Sequence, residues 1–434
     1  MTQHFQTLVV GSGPAGIAAA SCAAEHGSHV GLIDDNPDIG GQIWRAQRGS
    51  RGPDISHGGG AKQWRDRLDT SSVTRLQGWS IFDQPAPQTL RAERQNLAAD
   101  FTYEQLILAT GARERFLPFP GWTLPNVMGV GAIQAMFKSG LPLRGKRIVI
   151  AGTGPLLLAV AATLHSAGAI VVCIAEQASI RSLAPFALSL LRDPAKIVQG
   201  LRYKAAIAGV PFHIGSWPVE AKGGDRVTSV TLSIQGSLQE IPCDYLACGF
   251  HLVPNIELPS LLGCRIDHGV VVTDELQRTS VPGIFCAGEP TGIGGLEKSR
   301  LEGEIAGLAS VGQQEKARRL TPKRQPTATF ARNLAKAFAL RPELTSLSAD
   351  DTIVCRCEDV PFAALRNHTS WRAAKLHTRC GMGPCQGRIC GAATEILFGW
   401  NSDSVRPPLL PSLISSLASP TSEVESLVGP VEGR

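Results

Sequence analysis

Five of the chain's 11 cysteines fall between residues 355 and 390, and thiols crowded in this way are the residues here best equipped for chemistry. Cys355 and Cys357 form a C-x-C pair, and some 27 residues later Cys385 and Cys390 form C-x(4)-C. Cys380 is a fifth thiol just ahead of the second pair. Four thiolates drawn from two loops suit a tetrahedral zinc ion or an iron-sulfur cluster. C-x-C is cramped for a zinc knuckle, whereas a [2Fe-2S] centre tolerates it better because each of its two irons needs two thiolates. Arg356, Arg379 and Arg388 are interleaved with the cysteines, and Gly381, Gly383, Gly387 and Gly391 let backbone N–H groups close around sulfur. Cations and N–H donors both stabilise the negative charge of a four-thiolate cluster. Zinc, and a reduced loop holding no metal, remain open alternatives. The other six cysteines, Cys22, Cys173, Cys243, Cys248, Cys264 and Cys286, are scattered singly in apolar surroundings and behave as small hydrophobes. This usage fits a reducing, cytoplasmic compartment.

A second constellation lies at the other end of the chain. Gly11, Gly13 and Gly16 follow an apolar run from Leu8 to Val10 with the spacing G-x-G-x-x-G, and Pro14 and Ala15 lie inside the turn and open a helix. The first glycine permits the tight turn, the second admits a pyrophosphate, and the third lets helix and strand pack closely. The helix N-terminus offers N–H groups to phosphate. Asp34 ends a second apolar strand about twenty residues on, where a carboxylate can accept ribose hydroxyls. A dinucleotide belongs here, with Gly41 and Gln42 in the following Gly-Gly turn as further candidates. Nothing in these residues distinguishes FAD from NAD. Between Ile148 and Glu176 the unit recurs with Gly152, Gly154 and a terminal Glu176, but Leu157 stands at the third glycine. That leucine should loosen the phosphate turn, so this copy is expected to serve packing or a non-redox nucleotide rather than NAD(P)H.

These residues need elements to hold them. A chain of 434 residues with 43% hydrophobic and 18% charged residues predicts two or three well-packed domains. The formal charge of +5 gives no case for nucleic acid, and the basic group at Lys316, Arg318, Arg319, Lys323 and Arg324 fits a solvated linker. No basic and apolar leader opens the chain, so no secretion signal is expected. The stretch from Ile148 to Ala175 carries no formal charge and is long enough to span a bilayer, yet its glycines and Pro155 divide it into strand, helix and strand. The segment from Gly49 to Gly60 predicts a surface loop, Val73 to Leu97 predicts β structure, Ser179 to Gly209 a Pro-interrupted helical insertion, and Phe330 to Leu340 one helical patch inside the linker. No acid-base pair or activated nucleophile stands out, so catalytic residues are unknown from sequence. His251 fits a packed or exposed histidine better than one facing a cofactor.

Two further motifs carry a family resemblance. LILATGARERFLPFPG, from Leu106, resembles the strand and turn leading out of the FAD domain in two-dinucleotide flavoprotein oxidoreductases. TSVPGIFCAGEPTGIGG, from Thr279 to Gly295, resembles that family's second FAD contact, with Glu289 after Gly288 where the family carries aspartate. The resemblance implies an α/β fold with two Rossmann-like domains and FAD held also by Thr110, Gly111, Gly288 and Glu289. The FAD domain would be discontinuous, 1–112 and 250–312, with an NAD(P)-binding-like domain inserted at 113–249 and a linker at 313–348. The absence of C-x-x-C departs from the thioredoxin-reductase type.

CRCEDV at Cys355 and GMGPCQGRIC at Gly381 are similar to the [2Fe-2S] domain of the bacterioferritin-associated-ferredoxin type, here spanning 349–434. In that arrangement it is fused to the FAD-containing α subunits of opine oxidases, hydroxyproline dehydrogenases and dye-linked proline dehydrogenases, with hydrogen cyanide synthase in the same circle. The likeness includes GTGPLLLAVA and the tail VRPPLLP at Val405 to Pro411. Carried over, it implies Cys355, Cys357, Cys385 and Cys390 as ligands, with Cys380 able to replace one. It implies an electron-transferring FAD/[2Fe-2S] subunit of a hetero-oligomeric enzyme that oxidises CH-NH donors. Its partners would be a small ferredoxin-like protein and an FAD-dependent glycine-oxidase-like β subunit, with no direct membrane insertion. A self-contained NADH-dependent reductase and a non-catalytic scaffold are the competing readings.

Overall fold

The computed structural model describes residues 2–44, 60–401 and 405–418; all of the expected surface loop except Gly60, and the tail beyond residue 418, lie outside them. The first sheet has the strand order Val73–Gln77, Val30–Asp34, Thr2–Val10, Leu97–Leu108, Thr89–Arg94, Ser80–Ala86. Its first four strands run parallel, and Ile284–Cys286 adds a fifth parallel partner beside Leu97–Leu108. Val30–Asp34 is buried along its whole length, as parallel strands covered on both faces must be. The last two strands form an antiparallel ribbon, which accounts for the short β pattern between Val73 and Leu97.

The second sheet is wholly parallel, in the order Phe212–Ile214, Ile170–Glu176, Arg147–Thr153, Tyr245–Phe250, Val127–Gly129. The uncharged stretch from Ile148 to Ala175 is therefore strand, helix Leu156–Ser166 and strand. No helix among the described residues is long and apolar enough to cross a membrane. The first sheet takes strands from both sides of the second in sequence, and a small antiparallel pair, Ala112–Glu114 with Leu252–Pro254, carries the chain out and back. The fold is α/β with a discontinuous first Rossmann-like unit and an inserted second one.

The helical insertion forms two helices, Ile180–Ser189 and Pro194–Ala206, because Pro194 starts the second while the Asp193 side chain accepts the Lys196 N–H as a cap. The linker holds more helix than the single patch expected. Gln314–Leu320 and Arg324–Ala337 are separated by a 3-10 turn containing Pro322, which cannot extend the first helix but is tolerated where the next begins. Beyond it stands a small unit: the hairpin Ile353–Cys355 with Val360–Pro361, and helices Trp371–Thr378 and Cys390–Phe398. Val354, Leu365, Ala374 and Trp400 pack in its centre.

Candidate cofactor sites and the cysteine cluster

The three glycines of the first turn divide by what surrounds them. A Cβ on Gly11 would meet the Ala109 carbonyl oxygen at 2.2 Å, and one on Gly16 would meet the Gly11 carbonyl oxygen at 1.7 Å. Those two positions are closed by backbone. A Cβ on Gly13 would meet nothing within 4 Å, so the turn presents its middle glycine and the N-terminus of helix Pro14–Ala24 to open space. That cradle fits a pyrophosphate. Asp34, 9% exposed, sits beside it at the end of its strand. Its Oδ2 accepts from the Ser12 N–H and from Ser12 Oγ at 2.9 Å, and its Oδ1 accepts from the Asn36 N–H and Nδ2, both at 2.8 Å. Four donors fix the carboxylate at the mouth of the turn. Gly41, with φ +58°, closes on the same turn, where its Cβ would lie 2.9 Å from Gly13 Cα; Gln42 begins the adjoining helical turn.

Gly288 reaches the turn from the other side, its Cβ position lying 3.0 Å from Ala15 Cβ. The Glu289 carboxylate folds back to accept the N–H groups of Gly294 and Gly295, both at 3.0 Å, at the start of helix Gly295–Ser310. Burial pushes its carboxyl above the usual range. What holds this loop is a buried network that sequence reasoning missed. Lys298 Nζ donates to Glu302 Oε2 at 2.9 Å, to the Gly288 carbonyl at 3.0 Å and to Thr291 Oγ1 at 2.7 Å. Glu302 in turn accepts the Gly288 N–H at 3.0 Å and Arg324 Nε at 3.3 Å. The i,i+4 spacing of Lys298 and Glu302 was visible, but such pairs usually face solvent. The helix comes close enough because Gly303 and Gly307 lie against the backbone of Ala15 and Ala19, where a Cβ would come within 2.1 and 2.4 Å of carbonyl oxygen.

Thr110 and Gly111 join the first sheet to the crossover. Thr110 Oγ1 donates to the Asn255 carbonyl at 2.7 Å, and Asn255 Nδ2 returns a bond to the Thr110 carbonyl at 2.8 Å. Arg113 extends this joint: its guanidinium donates to Asn255 Oδ1 at 2.8 Å and pairs with Glu257 at 2.9 Å, while its Nε donates to the Arg388 carbonyl at 3.0 Å. Arg388 also donates to the Leu409 carbonyl at 2.9 Å. The cysteine-bearing unit is therefore bolted onto the crossover between the two sheets. Trp122 Nε1, donating to the Ile353 carbonyl, and Ser348 Oγ, donating to the Pro118 carbonyl at 2.9 Å, add two more ties.

In the second Rossmann-like unit Leu157 is 1% exposed, packed in the core beside Val130 and Val160. The Glu176 carboxylate is filled by Thr153 Oγ1 at 2.8 Å and by the N–H groups of Gly154 at 2.7 Å and Ala178 at 2.8 Å. Over the ends of these strands runs the exit of the linker helix. Gln177, fully buried, donates to the Ala339 carbonyl at 3.1 Å and accepts the Arg341 N–H at 3.1 Å, and Phe338 packs edge-on against Phe186. His251 lies beside Arg115 with its backbone at φ +79°, and burial lowers its imidazole pKa.

All five cysteines of the last unit converge. The sulfurs of Cys355, Cys380 and Cys390 lie within 4.8 Å of one another. Cys385 interacts with Cys390 and with Cys357. Hydrogen bonds from Cys380 and Cys390 hold the Cys355 thiol down to about 2, and contact with Cys390 holds Cys385 down to about 5. Thiols held as thiolates in a glycine-lined loop are the donor set a metal centre needs. Gly381 and Gly387 both close on the ring of Trp371, which leaves no room for side chains. Cys380, set outside the expected ligands by sequence, is fully buried at the heart of the group.

Known proteins resemble this chain along most of its length. The family description for pyridine nucleotide-disulphide oxidoreductases matches residues 5–314. Hydrogen cyanide synthase subunit HcnB of Pseudomonas protegens is 31% identical over 437 residues, covering 92% of this chain and 91% of that protein. The larger-lettered homologue from opine oxidase, its A component in Rhizobium meliloti, is 30% identical over 439 residues, covering 92% of this chain and 82% of that protein. Among solved structures, L-proline dehydrogenase from P. horikoshii is similar with a TM-score of 0.68 at 18% identity, covering 96% of this chain and 81% of that one.

Proposed function

The chain belongs to the pyridine nucleotide-disulphide oxidoreductase family and is an FAD-dependent oxidoreductase, and from that premise we propose that it is the electron-transferring subunit of an amine dehydrogenase built from several different chains. A secondary amino acid, such as hydroxyproline, proline or an opine, would lose its electrons at a C–N bond in a glycine-oxidase-like partner. When bound, a flavin exchanges electrons singly or in pairs and a [2Fe-2S] cluster takes them singly. In this chain Gly11, Gly13, Gly16 and Asp34 would hold the dinucleotide, with Gly41, Gln42, Thr110, Gly111, Gly288 and Glu289 along its length. Cys355, Cys357, Cys385 and Cys390, with Cys380 among them, would hold the cluster.

One observation carries this reading: Arg113 donates to both Asn255 and the Arg388 carbonyl, tying the Thr110–Gly111 joint to the cysteine loop. Two redox centres in one chain are useful when something fixes their separation, and this strut does so. Relatives that are subunits of opine oxidase and hydrogen cyanide synthase support a hetero-oligomer. The test is the spectrum of the anaerobically purified chain, with iron and acid-labile sulfide assayed on the same sample. A flavin absorbance and a rhombic EPR signal after dithionite, at about two irons per chain, are expected. Zinc in place of iron, with no such signal, would overturn the proposal.

A further inference from the structure

The five thiols have an inner and an outer edge. Cys355, Cys380 and Cys390 are buried, and Cys385 faces the Arg388 loop that Arg113 holds. Cys357 is the exposed member. A Cβ on Gly383 would lie 2.3 Å from Cys357 Cβ, so the exposed thiol sits directly against the Met382–Gly383 turn. Glu358, the next residue, receives Arg379 Nε at 2.7 Å, and the Met382 N–H donates to the Arg379 carbonyl at 2.9 Å. Arg379 thus connects the outer edge to the end of helix Trp371–Thr378.

That helix presents a stripe. Arg372, Lys375, Leu376 and Arg379 follow the i, i+3, i+4, i+7 spacing that puts side chains on one helical face. Leu376 is 68% exposed and Met382 is 42% exposed. No acidic residue occurs in WRAAKLHT. The result is an apolar centre of two side chains inside a basic collar, running up to the outermost thiol and completed by exposed Arg356. Helices that lie in a membrane surface carry a broad apolar face, and two residues do not make one. Electrostatic steering of a small protein onto a charged collar with an apolar centre is the alternative this chemistry suits.

We infer that the Arg372–Lys375–Leu376–Arg379 face, together with the loop at Cys357 and Met382, is the docking site for an acidic one-electron carrier protein. This rests on the proposed [2Fe-2S] reading. One electron leaves the chain and the oxidised carrier gains it, with no bond made and no proton moved.

The experiment uses the full chain carrying flavin and cluster, reduced with stoichiometric dithionite and mixed rapidly with one of two oxidised probes. These are the soluble domain of cytochrome b5, an acidic haem protein, and the basic cytochrome c. With Arg372→Glu and Lys375→Glu combined, the second-order rate with cytochrome b5 at low salt should fall about tenfold or more. The loss should fade as ionic strength shortens the screening length, and cytochrome c should react faster. Arg372→Lys should keep the wild-type rate. An unchanged cytochrome b5 rate, with the EPR signal intact, overturns the docking site and leaves the proposed function standing. Loss of sedimentation with phosphatidylserine vesicles in the double variant, without loss of carrier rate, also overturns it in favour of a lipid surface. Absence of the EPR signal from the wild-type chain overturns the proposed function, and the inference falls with it.

Discussion

Gly13 and Gly16 stand three residues apart, and substituting them should produce opposite phenotypes. Gly13 has φ −74°, which any residue adopts, and its Cβ would meet no protein atom within 4 Å. Gly13→Ala should therefore leave the melting temperature of the flavin-free protein unchanged. It should weaken flavin binding about tenfold or more, because the methyl group stands where a pyrophosphate must approach. Gly16→Ala drives a methyl group to 1.7 Å from the Gly11 carbonyl oxygen and should cost about 1–3 kcal/mol of stability by urea unfolding, with flavin lost as a consequence. Equal destabilisation by both variants would deny Gly13 its binding role. His251 offers a pH test. Its folded-state pKa is lowered from 6.5 by burial and by Arg115, so below that value the unfolded chain binds more protons than the native one. Stability therefore falls as pH drops from about 6.5 through the depressed folded value. Asn tolerates the positive φ at this position and does not titrate, so in His251→Asn the slope of urea midpoint against pH between about 7 and 5 should be shallower. An unchanged slope would assign the acid sensitivity elsewhere.

Elements show where the sequence was legible and where it was not. The strand-turn-helix at Leu8 to Asp34 could be read because each local signal agreed: an apolar run, glycines at fixed offsets and a terminal acid. The same held for the second unit, where Leu157 marked the departure and the structure buries it in the core. Helix Gly295–Ser310 was opaque. Gly303 and Gly307 give no clue to their partner until Ala15 and Ala19 are seen against them, some 290 residues away in sequence. Nor does Lys298 announce that its ion pair with Glu302 is buried, with side chains 7% and 1% exposed. Removing one partner of such a pair strands the other, so Lys298→Met should cost about 3–5 kcal/mol in urea unfolding, well beyond a surface pair. A loss under about 1 kcal/mol would mean the network is dispensable. The linker was equally hidden, since composition described a solvated connector while Phe338, Ala339 and Arg341 lie across the ends of the second sheet. With Gln177 and Glu176 already satisfied there, NADH in rapid mixing should leave the flavin oxidised; prompt bleaching would restore the self-contained reductase.

At the scale of the whole molecule, two dinucleotide folds and a cysteine unit depend on one short crossover for their mutual geometry. Arg113 is central to it because a guanidinium presents several donors in a fixed fork, and here it spends them on Asn255, Glu257 and the Arg388 carbonyl together. Lysine offers one mobile ammonium in place of that fork. Arg113→Lys should therefore behave much like Arg113→Ala. Each should lower the stability of the cysteine unit, followed through cluster bleaching in urea, by about 1.5–3 kcal/mol. The flavin unit should unfold at its wild-type midpoint, since Thr110 and Asn255 still bond to each other. Trp122 and Ser348 keep the unit attached in either variant, so detachment is not the expected outcome. What changes is the separation and orientation of the two centres, and electron delivery to an acceptor should slow while flavin and iron content stay constant. If delivery stays at the wild-type rate while cluster bleaching shifts, Arg113 serves stability alone. If neither moves, the strut has no part in coupling the two ends of the chain, and the two centres would have to meet through the partner protein.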